Sequence, residues 1–306
     1  MLRKQITHPV TVCPSADRAS PPPDRCAYGV AMSDTERATA FTDTSLPERY
    51  ERLLGSALFA PWAQVLLDAV GIEPGARIVE VAAGTGILTR AAARRAGPAG
   101  HVLATDISPA MIAFNAAHAA EPDAARIQTA VAPATELRCT DGDFDVALCQ
   151  QGMPFFPDRP GAVREMHRVL RPGGVVGIAV WTPGHEVVPF GPMNGALQDI
   201  GSPEPFPGAY DETSYVLNPD QVHDLLAEAG FTQIDSREIE LLTRWPGVDA
   251  LVEAVHGTPF GAVLAAMDEE RQTKVRAVMA ERFRRWVRDD GTLAIPTYSV
   301  IARAIR

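Results

Sequence analysis

From residue 45 to the C-terminus the apolar positions alternate between two periods. Short, largely β-branched runs occur at Arg77–Val81, His101–Thr105, Ile127–Val131, Phe144–Cys149 and Val175–Trp181. Gly, Pro or Asp bounds them, and each has the length and composition of a central strand buried on both faces. Between them the apolar residues recur at helical spacing. One helix is predicted to run to about Arg95 and stop at Gly97-Pro98. Another is predicted after Asp106, capped by Ser108 with Pro109 in its first turn. A third runs to about Leu170, and Pro172-Gly173-Gly174 turns the chain into the fifth strand. Asn218-Pro219 opens a helix that ends at Gly230, and Ile234–Leu242 and Tyr298–Ile305 read as strands six and seven. Strands alternating with helices predict an α/β fold, a doubly wound, mostly parallel seven-stranded sheet with helical cap segments. Its ligand site belongs at the carboxyl ends of the strands.

The flanking segments read differently. Ser45-Leu46-Pro47-Glu48 has the form of a capping box, followed by Tyr50, Leu53, Leu54 and Leu58 at helical spacing. Pro61 opens a second helix that carries Val65, Leu66 and Val70. Residues 1–32 hold Pro21-Pro22-Pro23 and no periodicity, and are expected to be a disordered leader with Met32 as the natural start.

One stretch carries the chemistry. Val79-Glu80-Val81-Ala82-Ala83-Gly84-Thr85-Gly86 joins a buried strand, an acid within it and a small-residue turn into a helix. Helix N-terminal amides at such a turn face a ligand. Asp106 closes the next strand, where a carboxylate can accept hydrogen bonds from both hydroxyls of a ribose. A dinucleotide fingerprint wants G-x-G-x-x-G and an acid about 20 residues on. Asp106 has that spacing, but the third glycine position is Thr89. Glu80 discriminates further: a charge inside an apolar strand is costly without a partner, and a cofactor bearing an ammonium group supplies one.

Here the chain resembles the class I S-adenosylmethionine (SAM) dependent methyltransferases. Their first motif, Asp/Glu-x-Gly-x-Gly-x-Gly, is matched by Glu80 to Gly86 with Ala82 in place of the first glycine. The resemblance continues through Asp106 to Met111, Phe144 to Cys149, and Leu170 to Gly174. It covers about residues 45 to 245 and is similar to the ubiquinone/menaquinone-biosynthesis type, which acts on small molecules. It implies that the seventh strand is antiparallel beside the fifth. It also implies SAM as cofactor, with Glu80 acting on its amino-acid end and Ala82, Gly84 and Gly86 letting the backbone approach. Asp106 would hold the ribose, and Ile107 and Met111 would pack near the adenine. The acid that often follows the third strand is replaced by Pro133, so the adenine edge falls to backbone, near Ala134. Gln150 would touch the cofactor, and Tyr50 would reach it from the helices above.

Gln151 follows Gln150 where methyl donor and acceptor would meet. Cys149 to Phe156 lacks the Asn/Asp-Pro-Pro-Tyr/Phe loop of DNA amino-methylating enzymes, the cysteine pair of RNA cytosine-carbon enzymes, and carboxylates for a metal. A hydroxyl or acidic carbon acceptor would need a general base, for which His185 and His256 are the candidates. Phe155, Phe156, Phe190 and Met193 suggest a largely apolar acceptor, although such residues are equally ordinary core. In these terms the chain divides into the leader (1–32), N-terminal helices over the cofactor site (33–75) and the SAM-binding core (76–181). A cap insertion (182–217), a core helix and strand (218–245), a helical cap (246–292) and the final strand (293–306) follow. In the helical cap Val275, Met279, Phe283 and Trp286 share one face.

Charge narrows the partners. The net charge of −10 argues against nucleic acid, and the cluster Arg282, Arg284, Arg285 and Arg288 is diluted by Glu281, Asp289 and Asp290. Four cysteines without C-x-x-C spacing fit a reduced, cytoplasmic setting. The longest apolar run, Val175–Trp181, is far too short for a membrane span, and self-association as a homodimer stays open. Two rival functions remain at this point: an NAD-dependent oxidoreductase, and a SAM-binding protein that performs no methyl transfer, such as a cyclase.

Overall fold

The structure, a computed structural model, describes residues 44–119, 121–185, 188–201, 216–258 and 261–306, without the side chains of residues 190, 262 and 263. The expected leader, the first part of the N-terminal segment, most of the end of the cap insertion and the side chain of Phe190 lie outside these described residues.

Seven strands form one sheet: β1 (Arg77–Val81), β2 (His101–Asp106), β3 (Arg126–Val131), β4 (Phe144–Gln150), β5 (Leu170–Trp181), β6 (Thr232–Trp245) and β7 (Leu293–Ile305). Their order is β3-β2-β1-β4-β5-β7-β6. The first five are parallel, and β7 runs antiparallel between β5 and β6. The order reverses between β1 and β4, which opens a crevice at their carboxyl ends. Helices α3 (Ile87–Ala96), α4 (Pro109–Ala117), α5 (Arg159–Val169) and α7 (Pro219–Glu228) connect the strands. Ser108 caps α4 through its side chain, and Asn218 and Gln221 form a capping box on α7.

Three expectations change. The fifth strand begins at Leu170 rather than Val175, because Leu170 pairs with Phe144 before a register shift. Pro172-Gly173-Gly174 is therefore a bulge within the strand, held by reciprocal backbone bonds of 2.9 Å between Gly173, Gly174 and Arg306. β6 and β7 are longer than their patterns predict and pair from Thr232–Ile305 to Trp245–Leu293. Their extra length is buried under the cap at Trp245, Leu293 and Ile295. Finally, Ser45 has helical dihedrals and makes no capping bond, so the box around Glu48 does not form; Arg49 instead donates to Ser45 Oγ.

The N-terminal helix is continuous from Leu46 to Val70 but changes register. It runs as α1 (Leu46–Tyr50), a π-helical stretch Glu51–Phe59, and α2 (Ala60–Val70). The Ala60 amide reaches back five residues to the Gly55 carbonyl. Pro61, which has no N–H to give to the ladder, follows directly after this change of spacing. Among the described residues, Leu46–Val70 is the one helix long and apolar enough to cross a membrane by length and composition. Here Leu54, Leu58, Trp62 and Leu66 are buried in the core, and Trp62 Nε1 donates to Thr297 Oγ1 of β7 at 3.1 Å.

The cap is built from α6 (Phe190–Asp199), α8 (Val248–Ala254), α9 (Gly261–Ala265) and α10 (Glu269–Phe283). Val275, Met279 and Phe283 are fully buried along one face, with Trp286 packed beside them. That apolar face joins the same core as α2, which accounts for the periodicity of this segment.

Candidate functional site

The carboxyl ends of β1, β2 and β4 meet the N-terminal helix. After Val81 the chain turns through Ala82 at φ +60°, Gly84 at φ +54° and Gly86 at φ +91° into α3. A side chain at Gly84 would meet nothing within 4 Å, so its backbone faces open space. Gly86 is required for another reason: a Cβ there would stand 2.4 Å from Asn115 Oδ1. Tyr50, Phe59, Glu80, Gln150 and the turn residues Ala82 to Thr85 line a cleft at this point, with Ile87 and Leu88.

Two acids frame the turn. Asp106 accepts from the Gly84 amide and the Ser108 amide, both at 2.8 Å. A carboxylate has about four acceptor positions, so these two bonds do not exhaust it. Burial raises its pKa, and the amides of Ser108, Gly84 and Ile107 oppose that rise. Glu80 is 2% exposed. Burial pushes its carboxyl up to about 8, against the hydroxyl of Thr89, which donates to Oε2 at 2.5 Å. The Tyr50 phenol is pushed up by burial and by the carboxylates of Glu51 and Asp106.

The remaining expected residues separate into groups. Gln150 lines the cleft and donates from Nε2 to the Phe59 carbonyl at 2.8 Å, tying β4 to the π-helical stretch. Gln151, at φ +57°, is buried and donates to Ser299 Oγ at 3.1 Å, while its Oε1 has no partner. Ile107 is 59% exposed beside Asp106, an apolar face open to a ring. Met111, in the first turn of α4, is 3% exposed. Pro133 and Ala134 are half-buried beyond β3, and Ala134 packs against the buried cluster that includes Leu137, Val163 and Met166.

The histidines lie outside the lining of the cleft. His185 is stacked on Tyr298 at 3.6 Å between ring centroids, with Nε2 3.3 Å from Glu238 Oε1. His256 is half-buried, and its carbonyl accepts from Arg49 Nε at 3.0 Å, which holds the cap turn against α1. Phe155 and Phe156 are half-buried and Met193 is fully buried.

Several residues carry parts of the site that the sequence reading missed. Phe59 stacks on Tyr50 at 4.9 Å and shares the lining. Arg90 pairs with Glu51 at 2.5 Å and donates to the Thr85 carbonyl at 2.8 Å, joining the N-terminal helix to the glycine turn. Thr89, noted before only as a non-glycine, is the partner of Glu80. Among the described residues no group of His, Cys, Asp and Glu is placed to hold a metal ion.

Residues 78–174 match a methyltransferase domain. The chain is 31% identical over 232 residues to nocamycin O-methyltransferase of Saccharothrix syringae, covering 73% of this chain and 83% of that one. It is 30% identical over 196 residues to the ubiquinone/menaquinone biosynthesis C-methyltransferase of Laribacter hongkongensis, covering 60% and 78%. Haemonchus contortus phosphoethanolamine N-methyltransferase 2, solved in complex with S-adenosyl-L-methionine, shares the fold with a TM-score of 0.56 at 19% identity. That likeness covers 90% of this chain and 60% of the other. The chain belongs to the class I SAM-dependent methyltransferases. It is an enzyme of the small-molecule biosynthesis type with SAM as its cofactor, and the rival reading as an NAD-dependent oxidoreductase falls away.

Proposed function

We propose that the enzyme methylates a small, largely apolar biosynthetic acceptor. The observation that carries the placement of the cofactor is the Asp106–Gly84 bond beneath open space. The site fits SAM: it offers a diol acceptor, an unencumbered backbone, a buried acid and an exposed apolar face at Ile107. When bound, SAM supplies a methyl group on a sulfonium whose departure needs little help. The protein's part is therefore chiefly to position and to keep water out.

In this reading Glu80 serves the amino-acid end, and Ala82, Gly84 and Gly86 give it backbone access. Asp106 holds the ribose. Ile107 covers the adenine face, with Met111 supporting it from the core, and the backbone at Pro133 and Ala134 reads the adenine edge. Tyr50, Phe59 and Gln150 close the cleft from the side of the N-terminal helix. Gln151 faces the acceptor, and Phe155, Phe156 and Met193 contribute apolar surroundings. An acceptor that must lose a proton draws on His185 or His256. The names of the two relatives, an O-methyltransferase and a C-methyltransferase of biosynthetic pathways, support an acceptor of that class.

The test is calorimetric titration with SAM, followed by a screen of aromatic and polyketide-like acceptors for release of S-adenosylhomocysteine. Saturable binding with turnover on such an acceptor is expected. Binding without turnover on any of them would favour the reading in which the bound nucleoside donates no methyl group.

A further inference from the structure

Behind the cleft, three buried side chains form a chain of hydrogen bonds. Asn115 Nδ2 donates to Thr89 Oγ1 at 3.2 Å, and Thr89 Oγ1 donates to Glu80 Oε2 at 2.5 Å. Thr89 and Asn115 are fully buried, and Glu80 is 2% exposed. The polarity of the chain is set by its chemistry. With the Asn115 amide nitrogen towards Thr89 and Glu80 as a carboxylate, the single hydroxyl proton of Thr89 points towards Glu80. A hydroxyl that donates to a carboxylate favours its ionised form.

We propose that Asn115 and Thr89 are a one-way relay that favours the carboxylate form of Glu80 and aims it at the ammonium end of the cofactor, which makes both of them positioning residues for methyl transfer. The proposal rests on the function proposed above for what Glu80 faces. Three further observations bear on it. Thr89 occupies the place where a dinucleotide-binding turn needs its third glycine. Asn115 belongs to α4, the helix that follows Asp106, so the relay links the ribose side of the site to the amino-acid side. Its Oδ1 rests against Gly86, where a Cβ would stand 2.4 Å away, so the turn and the relay fit one another. Around Glu80, Asp106 from β2 and burial oppose ionisation, while Arg90 from α3, paired with Glu51, favours it. Cys149 on β4 and Tyr50 above the cleft are the other titratable neighbours, and both are held neutral by burial.

The test uses Thr89→Val, which removes the hydroxyl and keeps the shape, and Thr89→Ser, which restores it. In protein labelled with 13C at glutamate side-chain carboxyls, the resonance lost in Glu80→Gln belongs to Glu80. Its titration midpoint should rise by about one pH unit in Thr89→Val and return in Thr89→Ser. An unmoved midpoint overturns the relay, whether or not the protein binds SAM. Thr89→Val should also weaken SAM binding at pH 7 by about tenfold, the loss of one hydrogen bond to a charged group. In a Glu80→Gln background the same substitution should cost nothing. An equal loss in both backgrounds would make Thr89 merely structural and overturn the relay. If the unaltered protein took up no SAM at all, the proposed function would fall, and the carboxyl titration alone would still decide the relay. Should Thr89→Val not fold, Thr89→Ala lacks the same hydroxyl and takes its place.

Discussion

The carboxylate of Asp106 accepts the amide of Gly84 at 2.8 Å, joining the end of β2 to the turn after β1. The two strands are neighbours in register, Val81 opposite Thr105, so the acid and the turn are fixed by the sheet and not by a loop. A second bond from the Ser108 amide orients the other oxygen at the start of α4. The acid is therefore set before any ligand arrives.

Asp106→Ala should abolish measurable SAM binding. Two hydrogen bonds to a charged acceptor, at roughly 1.5–3 kcal/mol each, correspond to a loss of about a hundredfold or more. Calorimetry reads the affinity, and a circular dichroism melt checks that the fold survives the loss of the Gly84 and Ser108 bonds. Affinity within a factor of about three of the unaltered protein would remove Asp106 from the ribose site.

Glu80 makes the enzyme pH-dependent in two ways. Its folded pKa is raised from 4.5 to about 8, so the free protein holds it largely protonated at neutral pH. A bound ammonium favours the carboxylate, so SAM affinity should climb with pH by at most about tenfold per unit and level off above about 8. For stability the sign is opposite: the folded form holds the proton more tightly than the unfolded form. Its contribution is complete below 4.5, declines as pH rises, and is lost above about 8. Urea unfolding at several pH values checks this, and Glu80→Gln should flatten both profiles. A pH-independent SAM affinity in the unaltered protein would contradict the charge role.

Much of this fold was legible because its signals are local. The strand Arg77–Val81 lies where its β-branched run placed it, and Gly97 ends α3 as its position suggested. The errors arose where tertiary pairing overrode local punctuation. Pro172-Gly173-Gly174 reads as a turn, yet the C-terminal Arg306 pairs with it and keeps it in the strand. Strand β6 ends in Thr243, Arg244 and Trp245, whose side-chain polarity shows no alternation, yet the structure buries Thr243 and Trp245 and exposes Arg244 between them.

The site divides in the same way. Glu80, Gly84 and Asp106 announce themselves by composition and spacing within a short stretch. Phe59, Arg90 and Asn115 do not, because each takes its role from a partner far along the chain: Gln150, Glu51 and Thr89. Met111, in the first turn of α4, is buried, and Ile107 beside Asp106 is exposed.

His185 is a candidate base because of its neighbours. If its Nε2–H donates to Glu238, the neutral ring presents Nδ1 as the acceptor, and stacking on Tyr298 fixes the plane. With an acceptor that must lose a proton, His185→Ala should slow turnover by about a hundredfold or more and leave SAM affinity intact. Glu238→Gln should show a smaller effect of the same kind. Single-turnover rates measured across pH would check both, and unchanged rates would pass the role to His256 or to none.

Ala82 and Gly152 make a packing prediction at the heart of the site. Ala82 stands where the family usually has glycine, at φ +60°, a conformation that strains any residue with a Cβ. The loop after β4 accommodates its methyl group with a glycine: a Cβ on Gly152 would lie 2.5 Å from Ala82 Cβ and 3.0 Å from Cys149 Sγ. Gly152→Ala should therefore destabilise the protein by about 1–3 kcal/mol through overpacking. Ala82→Gly in the same chain should recover part of that loss, because it removes one of the two colliding methyl groups and the backbone strain together. A cycle of the two single variants and the double variant in thermal unfolding should show a coupling of at least about 0.5 kcal/mol. Strict additivity would mean that the two residues do not share the space the structure gives them.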